Sequence, residues 1–443
     1  MSKILLQIGS SLNCGAPGKI AEQIGLLAMS RGWDVYMAHG VRHSNPSQLK
    51  TIPMVTPREE KVHALYSLLL DRHGLGPDGK TKKLVEWIKV HKPDVIHLHN
   101  IHGHFLNYKT LFEYLVTTDI PVVWTLHDCW PFTGHCAYFD SVDCRRWMTG
   151  CYDCPLRKDY PKSFFIDRSP KNYRLKKQLF AGLKRCVIVP VSDWLGDITR
   201  VSFMGKYPVH VIHNGIDLNV FRPAETDLRQ RLGIAPEKNV VLGLAAPWVP
   251  RKGYHDIIRM SEERDFQIVM VGVSAEQKAS LPKNIIAVTR TSNQQELVEY
   301  YNMADVFVNP TYSDNFPTTN LEALACGTPV VTYRTGGSPE AICDTACEKV
   351  EKAGAEYYPT GMVVEQGDVE GMIHCVRELK SRPISAAVCR QRAEVLFDKE
   401  KCFEKYIKLY ENLLLGGGNP RITLEITICS CNSPKERERR VAA

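Results

Sequence analysis

The chain has 443 residues, of which 44% are hydrophobic and 24% charged, and a formal net charge of +7. That length supports two or three domains with sizeable cores, and the composition is ordinary for a globular protein. No apolar run approaches the roughly 18 residues of a membrane-spanning helix, and the mild positive excess suits anionic ligands or an anionic membrane surface but comes with no nucleic-acid-binding signature.

Apolar runs alternate with helical patterns from the start, which predicts α/β architecture with parallel sheets covered by helices on both faces. Ile4 to Ile8 reads as a buried strand, so MSKILLQIGSS opens a fold rather than a signal peptide. A cytoplasmic protein whose fifteen cysteines are reduced is expected. The next loop, SSLNCGAPGKIAE, carries Gly15, Gly18 and Lys19, but Asn13 and Ile20 stand where a Walker A loop needs Gly and Ser or Thr. A phosphate-loop NTPase is therefore set aside, and a backbone approach to a ligand and a plain turn both stay open. Ile20, Ile24, Leu27 and Ala28 mark one helix face, ended by Arg31-Gly32, and residues 34–38, 95–98, 122–126 and 187–191 read as further core strands.

Histidines crowd the ends of two of these strands. HLHNIHGH contributes His97, His99, His102 and His104, which either line a pocket, hold a metal or face solvent. TLHDCWPFTGHC places His127 at the carboxyl end of a strand, where a functional role is expected, with Asp128 orienting it or the local backbone. Cys136, Cys144, Cys151 and Cys154 follow and end in a CxxCP knuckle. That pattern suits a closed, structural tetrahedral zinc site, against the alternative of free thiols. Residues 168–185 include Arg168, Lys171, Arg174, Lys176, Lys177, Lys184 and Arg185 among apolar positions, either a helix resting on an anionic membrane or a solvated outer face. Residues 209–212 then lead into HNGIDLNVFRP, whose Asn, Gly and Pro are linker chemistry.

The second half repeats the alternation, with strand candidates at 240–245, 268–272, 285–288, 306–308, 330–332 and 362–364. Its first strand leads to Arg251, Lys252 and Gly253, a cation pair at the start of a helix. The most informative stretch is DVFVNPTYSDNFPTTNLEALACGTPVVT, residues 305–332. It predicts a strand, a polar loop, a short helix from about Thr318 to Cys326-Gly327, and a second strand. Unpaired N–H groups at such a helix start make an anion site, most naturally for phosphate. Asp314 and Glu322 bracket it, and two carboxylates cannot ligate phosphate beside it. They read instead as acceptors for hydroxyl groups, which together with phosphate describe a nucleotide sugar. Residues 391–415 predict one long amphipathic helix, and 417–443 a loosely attached tail without functional weight.

The acid, seven residues, Glu spacing followed by ALACGTPVV resembles the retaining nucleotide-sugar transferases of glycosyltransferase family four. HNGID is similar to that family's interdomain stretch, and HDCWPFTGHC with GCYDCP to an insertion in some bacterial exopolysaccharide transferases. The resemblance implies a GT-B fold, two facing Rossmann-like doubly wound domains with a C-terminal crossover helix. The implied parts are an acceptor-side domain at 1–222 with a Cys-rich insertion at about 129–155, a nucleotide-sugar domain at 223–390, the crossover helix at 391–416 and the tail. It further implies that Asp314, where the family usually has Glu, meets the sugar hydroxyls, that Glu322 meets the ribose, and that His127 meets the sugar. Lys252 would hold the diphosphate, with Arg251 replacing the usual arginine at Pro247. Thr318, Thr319, Asn320, Gly15 and Gly18 complete the implied donor contacts. The implied reaction is front-face substitution with retention onto a glycan or lipid-linked acceptor in surface polysaccharide or capsule synthesis, with peripheral contact at the inner face of the membrane. No DxD motif is present, so catalysis is expected to need no divalent metal. A GT-B epimerase or phosphorylase, and a non-catalytic scaffold for polysaccharide assembly, remain as alternatives.

Overall fold

The computed structural model describes residues 2–345 and 359–416, so the tail expected at 417–443 lies outside the described residues. The chain divides into two compact units, one running to His213 and resumed from Glu400, the other Asn214–Lys399.

The first unit holds six parallel strands, β1 Ile4–Gly9, β2 Asp34–His39, β3 Lys50–Pro53, β4 Val95–Leu98, β5 Val122–Leu126 and β6 Cys186–Pro190, in the order 3-2-1-4-5-6. The second holds β7 Asn239–Leu244, β8 Phe266–Val271, β9 Ile286–Val288, β10 Val306–Asn309, β11 Val330–Tyr333 and β12 Gly361–Val364, in the order 12-11-10-7-8-9. Counted within its own unit, the second order is again 3-2-1-4-5-6, so both are doubly wound Rossmann-like sheets. Central strands such as β5 and β10 are buried at every residue, as expected for sheets covered on both faces. The edge strand β3 is mostly exposed and was not anticipated, because Lys50-Thr51-Ile52-Pro53 has a single aliphatic residue to mark it.

The predicted single helix over 391–415 is two helices, Ala386–Leu396 and Lys399–Leu414. The break has a hydrogen-bonding cause: Ile216 N donates to Phe397 O at 2.7 Å and Lys399 N to Ile216 O at 3.1 Å, a strand-like bridge that draws the backbone out of the helix. Beyond it, Phe403, Tyr406, Ile407 and Tyr410 are buried in the core of the first unit with Val95, Val123 and Val187. Tyr410 OH bonds His97 Nδ1 at 2.6 Å, and the Thr125 hydroxyl donates to Tyr406 OH at 3.0 Å. Residues 209–212 form no strand; Val209 makes one isolated bridge to Ile188.

Candidate functional site

In each sheet the strand order reverses beside the unit's first strand, between β1 and β4 and between β7 and β10. Loops leaving those carboxyl ends run in opposite directions and open a crevice, where parallel sheets take their ligands. In the second unit the loops are 245–253 and 310–317. Pro250–Lys252 forms one 3-10 turn, closed by Gly253 at φ +73°. A Cβ at Gly253 would stand 2.1 Å from Pro310 O, so only glycine lets the two loops touch. Tyr312 N then donates to Arg251 O at 2.8 Å, and Arg251 Nη1 to Ser313 O at 2.6 Å. Lys252 Nζ pairs with Asp314 Oδ2, with the side chains 24% and 17% exposed. The switch point thus gathers two cations and one acid.

Pro317 leads into the helix Thr318–Ala325, which has no side-chain cap and no acidic residue in its first turn. The protein itself therefore leaves the positive end of the helix uncompensated, with half-buried Thr318 and Thr319 on it. Asn320 departs from the implied donor contact. Its Oδ1 accepts from Asn309 Nδ2 at 2.8 Å, its Nδ2 donates to Ser338 Oγ at 3.0 Å, and its backbone N bonds Pro317 O at 3.2 Å. Fully buried, it fixes the helix to β10 and to the 335–338 loop rather than presenting a group to a ligand. Glu322 lies two residues further along the same helix, half-buried, with Oε2 accepting from Tyr301 OH at 2.8 Å. Burial, reinforced by the Glu322 carboxylate, raises the Tyr301 pKa, so the phenol stays a donor. Tyr301 was not visible in the sequence, since nothing at residue 301 marks it as a partner of residue 322. A cavity of about 570 Å³ is bordered by Asp305, Thr328 and Pro329 at the amino ends of β10 and β11, the opposite end from these loops.

In the first unit the loop after β1 enters the helix Gly15–Ser30. A Cβ at Gly18 would lie 2.8 Å from Ser11 Oγ, so that helix can press against the loop. Beside it runs a polar chain: Gln7 Nε2 donates to Ala21 O at 2.9 Å, Gln7 Oε1 meets His99 Nε2 at 3.0 Å, and His99 Nδ1 meets His127 Nε2 at 3.2 Å. Because Gln7 uses its amide group on Ala21, its oxygen must accept, which puts the His99 proton on Nε2 and leaves Nδ1 to accept from His127. His127 therefore carries its proton on Nε2. Burial pushes its pKa down to about 4, so it is uncharged at neutral pH. The four-histidine metal reading does not hold together: His97 bonds Thr125 and Tyr410, and His102 bonds Asp128 Oδ2 at 2.6 Å. Asp128 also accepts from Trp130 N at 3.0 Å, so it orients the backbone and His102.

Cys136, Cys144, Cys151 and Cys154 border one cavity of about 10 Å³. The basic stretch forms the helix Ser169–Phe180 with Lys171, Arg174 and Lys177 outward, but Lys176 is a correction. It is 1% exposed, stacked 3.3 Å from the Trp130 ring centroid, because Trp130 and Thr133 offer it backbone carbonyls at 2.8 and 3.0 Å.

Comparison with known proteins matches this architecture. A family model described as Glycosyltransferase Family 4 covers residues 26–220, and one described as Glycosyl transferases group 1 covers 224–395. WcaC of Escherichia coli (strain K12), a glycosyl transferase named for colanic acid biosynthesis, is 25% identical across 92% of this chain and 100% of its own. A D-inositol 3-phosphate glycosyltransferase of Mycobacterium sp. (strain KMS) is 28% identical over 39% of this chain and 40% of its own. Among solved structures, sucrose-phosphate synthase from Thermosynechococcus elongatus superposes with a TM-score of 0.65 at 17% identity, over 94% of this chain and 100% of that one. Anabaena HepE in complex with UDP-glucose gives 0.60 at 16% identity, over 93% and 100%. Matched along both of its Rossmann-like units, the chain belongs to the glycosyltransferases, of family four and the GT-B fold.

Proposed function

We propose that this glycosyltransferase moves a sugar from a nucleoside-diphosphate donor to a hydroxyl of a glycan or lipid-linked glycan, with retention, in bacterial surface-polysaccharide synthesis. The observation that carries this reading is the joining of Arg251, Lys252 and Asp314 on two loops at the switch point of one sheet, followed in the chain by an uncapped helix that carries Glu322. The exopolysaccharide setting is supported by the name of WcaC, and a uridine donor by the HepE complex with UDP-glucose.

In the proposed reaction the bond between sugar C1 and the phosphate oxygen breaks, and its electron pair goes to that oxygen. Lys252, Arg251 and the amides at Thr318 and Thr319 receive the charge as it develops, a kind of contact worth about 3 kcal/mol each in transition states. The acceptor oxygen bonds to C1 from the same face, and its proton passes to the departing phosphate. Asp314, exchanging Lys252 for a sugar hydroxyl, and Glu322, aligned by Tyr301 on the ribose, hold the donor in line. Nothing in this scheme needs a divalent metal. The test is donor hydrolysis and transfer with UDP-, GDP- and ADP-sugars, following the first-formed anomer by proton NMR. Retention predicts the donor's own anomeric configuration in the product; the opposite anomer would overturn it.

A lipid-linked acceptor is supported by the surface of the first unit. Leu65, Leu69 and Leu70 on the helix Pro57–Leu70 are exposed, as are Phe164, Phe165 and Ile166. Phe164 N donates to Leu68 O at 2.9 Å, so these two groups form one patch. Arg72, Arg168, Lys171 and Arg174 border a cavity of about 540 Å³ beside it, together with Leu70 and Ile166. Apolar side chains rimmed by cations fit a peripheral contact with an anionic membrane, each cation adding about 1 kcal/mol. No described helix is long and apolar enough to cross a membrane. Cosedimentation with phosphatidylglycerol vesicles, lost on pure phosphatidylcholine and in Phe165→Ser, is expected; equal sedimentation in all three cases would remove this support.

A further inference from the structure

We infer that Cys136, Cys144, Cys151 and Cys154 bind one zinc ion that staples the segment between β5 and the helix Ser169–Phe180. Residues 127–168 contain only three 3-10 turns, Trp130–Phe132, Asp140–Val142 and Arg146–Met148. A stretch that long without helix or strand gains from a local staple against the entropy of ordering it, beyond what its buried apolar side chains supply. Phe132, Phe139 and Trp147 form a small aromatic cluster, with ring centroids 5.2–6.4 Å apart, and the four cysteines converge beside it.

Two observations point to a metal rather than to incidental packing. The first is convergence: four thiols spread over residues 136–154 border one cavity of about 10 Å³, room for a single ion and not for a cluster. The second is the aim of the backbone. Gly134 N donates to Cys151 Sγ at 3.1 Å, and Leu156 N, two residues past Cys154, donates to that sulfur. In the CxxC turn between them, Asp153 adopts φ +42°, a left-handed conformation that brings both cysteines to the same side. Amides directed at sulfur favour thiolates, the form that ligates zinc.

Lys176, 1% exposed and bonded to the Trp130 and Thr133 carbonyls, has Cys151 and Cys136 beside it, with Asp71 and Asp128 also in range, and Arg146 borders the cavity. The sulfurs are not gathered to within 4.8 Å of one another. A tetrahedral cage with bonds of about 2.3 Å sets them roughly 3.8 Å apart, so loading draws the loop inward. Binding breaks four S–H bonds, forms four Zn–S bonds and releases the protons to solvent, with no change of oxidation state. The site rests on the cysteines alone and does not depend on the donor assignment.

The test is elemental analysis of the full chain purified under reducing conditions without chelator. One zinc per chain is expected, lost from Cys151→Ser and Cys154→Ser but retained by Cys186→Ala, whose thiol lies on β6. Cobalt exchanged into the wild-type protein should give the intense absorption of tetrahedral thiolate coordination, a readout that holds even if the serine variants fold poorly. Nucleoside-diphosphate binding should survive in whichever serine variant folds, separating this site from the donor site. A chain free of metal whose four thiols all react with a thiol reagent, or are paired as disulfides by mass spectrometry, would overturn the inference. So would iron in place of zinc.

Discussion

Replacing Asp314 by Asn should separate two roles that one ion pair joins. Lys252 and Asp314 are bonded to each other and mostly buried, at 24% and 17% exposure. Opposite charges about 4 Å apart attract by about 4 kcal/mol at an effective dielectric of 20. After desolvation and side-chain ordering, about 1 kcal/mol of that survives as net stabilisation. An incoming diphosphate must draw Lys252 from its carboxylate partner and forfeits that energy. Asp314→Asn lifts the competition, so a nucleoside diphosphate lacking sugar should bind about fivefold more tightly. The intact donor, in contrast, loses an ionised acceptor for a sugar hydroxyl, a bond worth about 1.5–3 kcal/mol, and kcat/KM should fall about 10- to 100-fold. Lys252→Met should weaken both, with kcat/KM down at least about 100-fold. Calorimetric titration of the nucleoside diphosphate and steady-state turnover measure the two effects side by side. If Asp314→Asn weakens nucleoside-diphosphate binding as much as Lys252→Met does, the carboxylate supports the phosphate cage and the hydroxyl assignment fails.

Acid should destabilise the chain through histidines buried uncharged. His63, His104 and His127 are shifted by burial to about 3, 4 and 4 from an ordinary 6.5, so on acidification the unfolded chain takes up protons first. Their stabilisation is complete above pH 6.5 and is lost as pH falls toward 4, by at most about 3 kcal/mol per residue; urea midpoints that stay flat between pH 6.5 and 4.5 would contradict this. Gly253→Ala should cost about 1–3 kcal/mol through its φ of +73° and its contact with Pro310 O, and should lower turnover more than the shift in Tm explains, because Lys252 moves with it. Asn320→Ala leaves Asn309 Nδ2 and Ser338 without their buried partner and should cost about 2–3 kcal/mol in chemical denaturation. A nearly neutral result would mean that the helix start is held by other contacts.

The strands were legible where apolar runs were continuous, as at 122–126 and 306–308, because a buried parallel strand needs apolar residues on both faces. The exposed edge β3 carries no such signal. The helix break at Phe397 was hidden because the apolar spacing continues through it, while the cause, a bridge to Ile216, lies far away in the chain. At the candidate site the order of the residues could be read and their partners could not. Asp314 and Glu322 stand out by spacing, whereas Tyr301 supports Glu322 through a contact that no local pattern encodes. Asn320 looked like a ligand contact because it opens a helix, yet its amide is spent on Asn309 and Ser338. Lys176 looked solvated because its neighbours on the helix are, although Trp130 from another element covers it.

A crystal structure with a bound nucleoside diphosphate would test the central assignment most directly. The β-phosphate should lie over the amides of Thr318 and Thr319 with Lys252 Nζ turned to it, and both ribose hydroxyls should meet Glu322. A nucleotide seated elsewhere, with the Lys252–Asp314 pair intact and Glu322 bonded only to Tyr301, would contradict it.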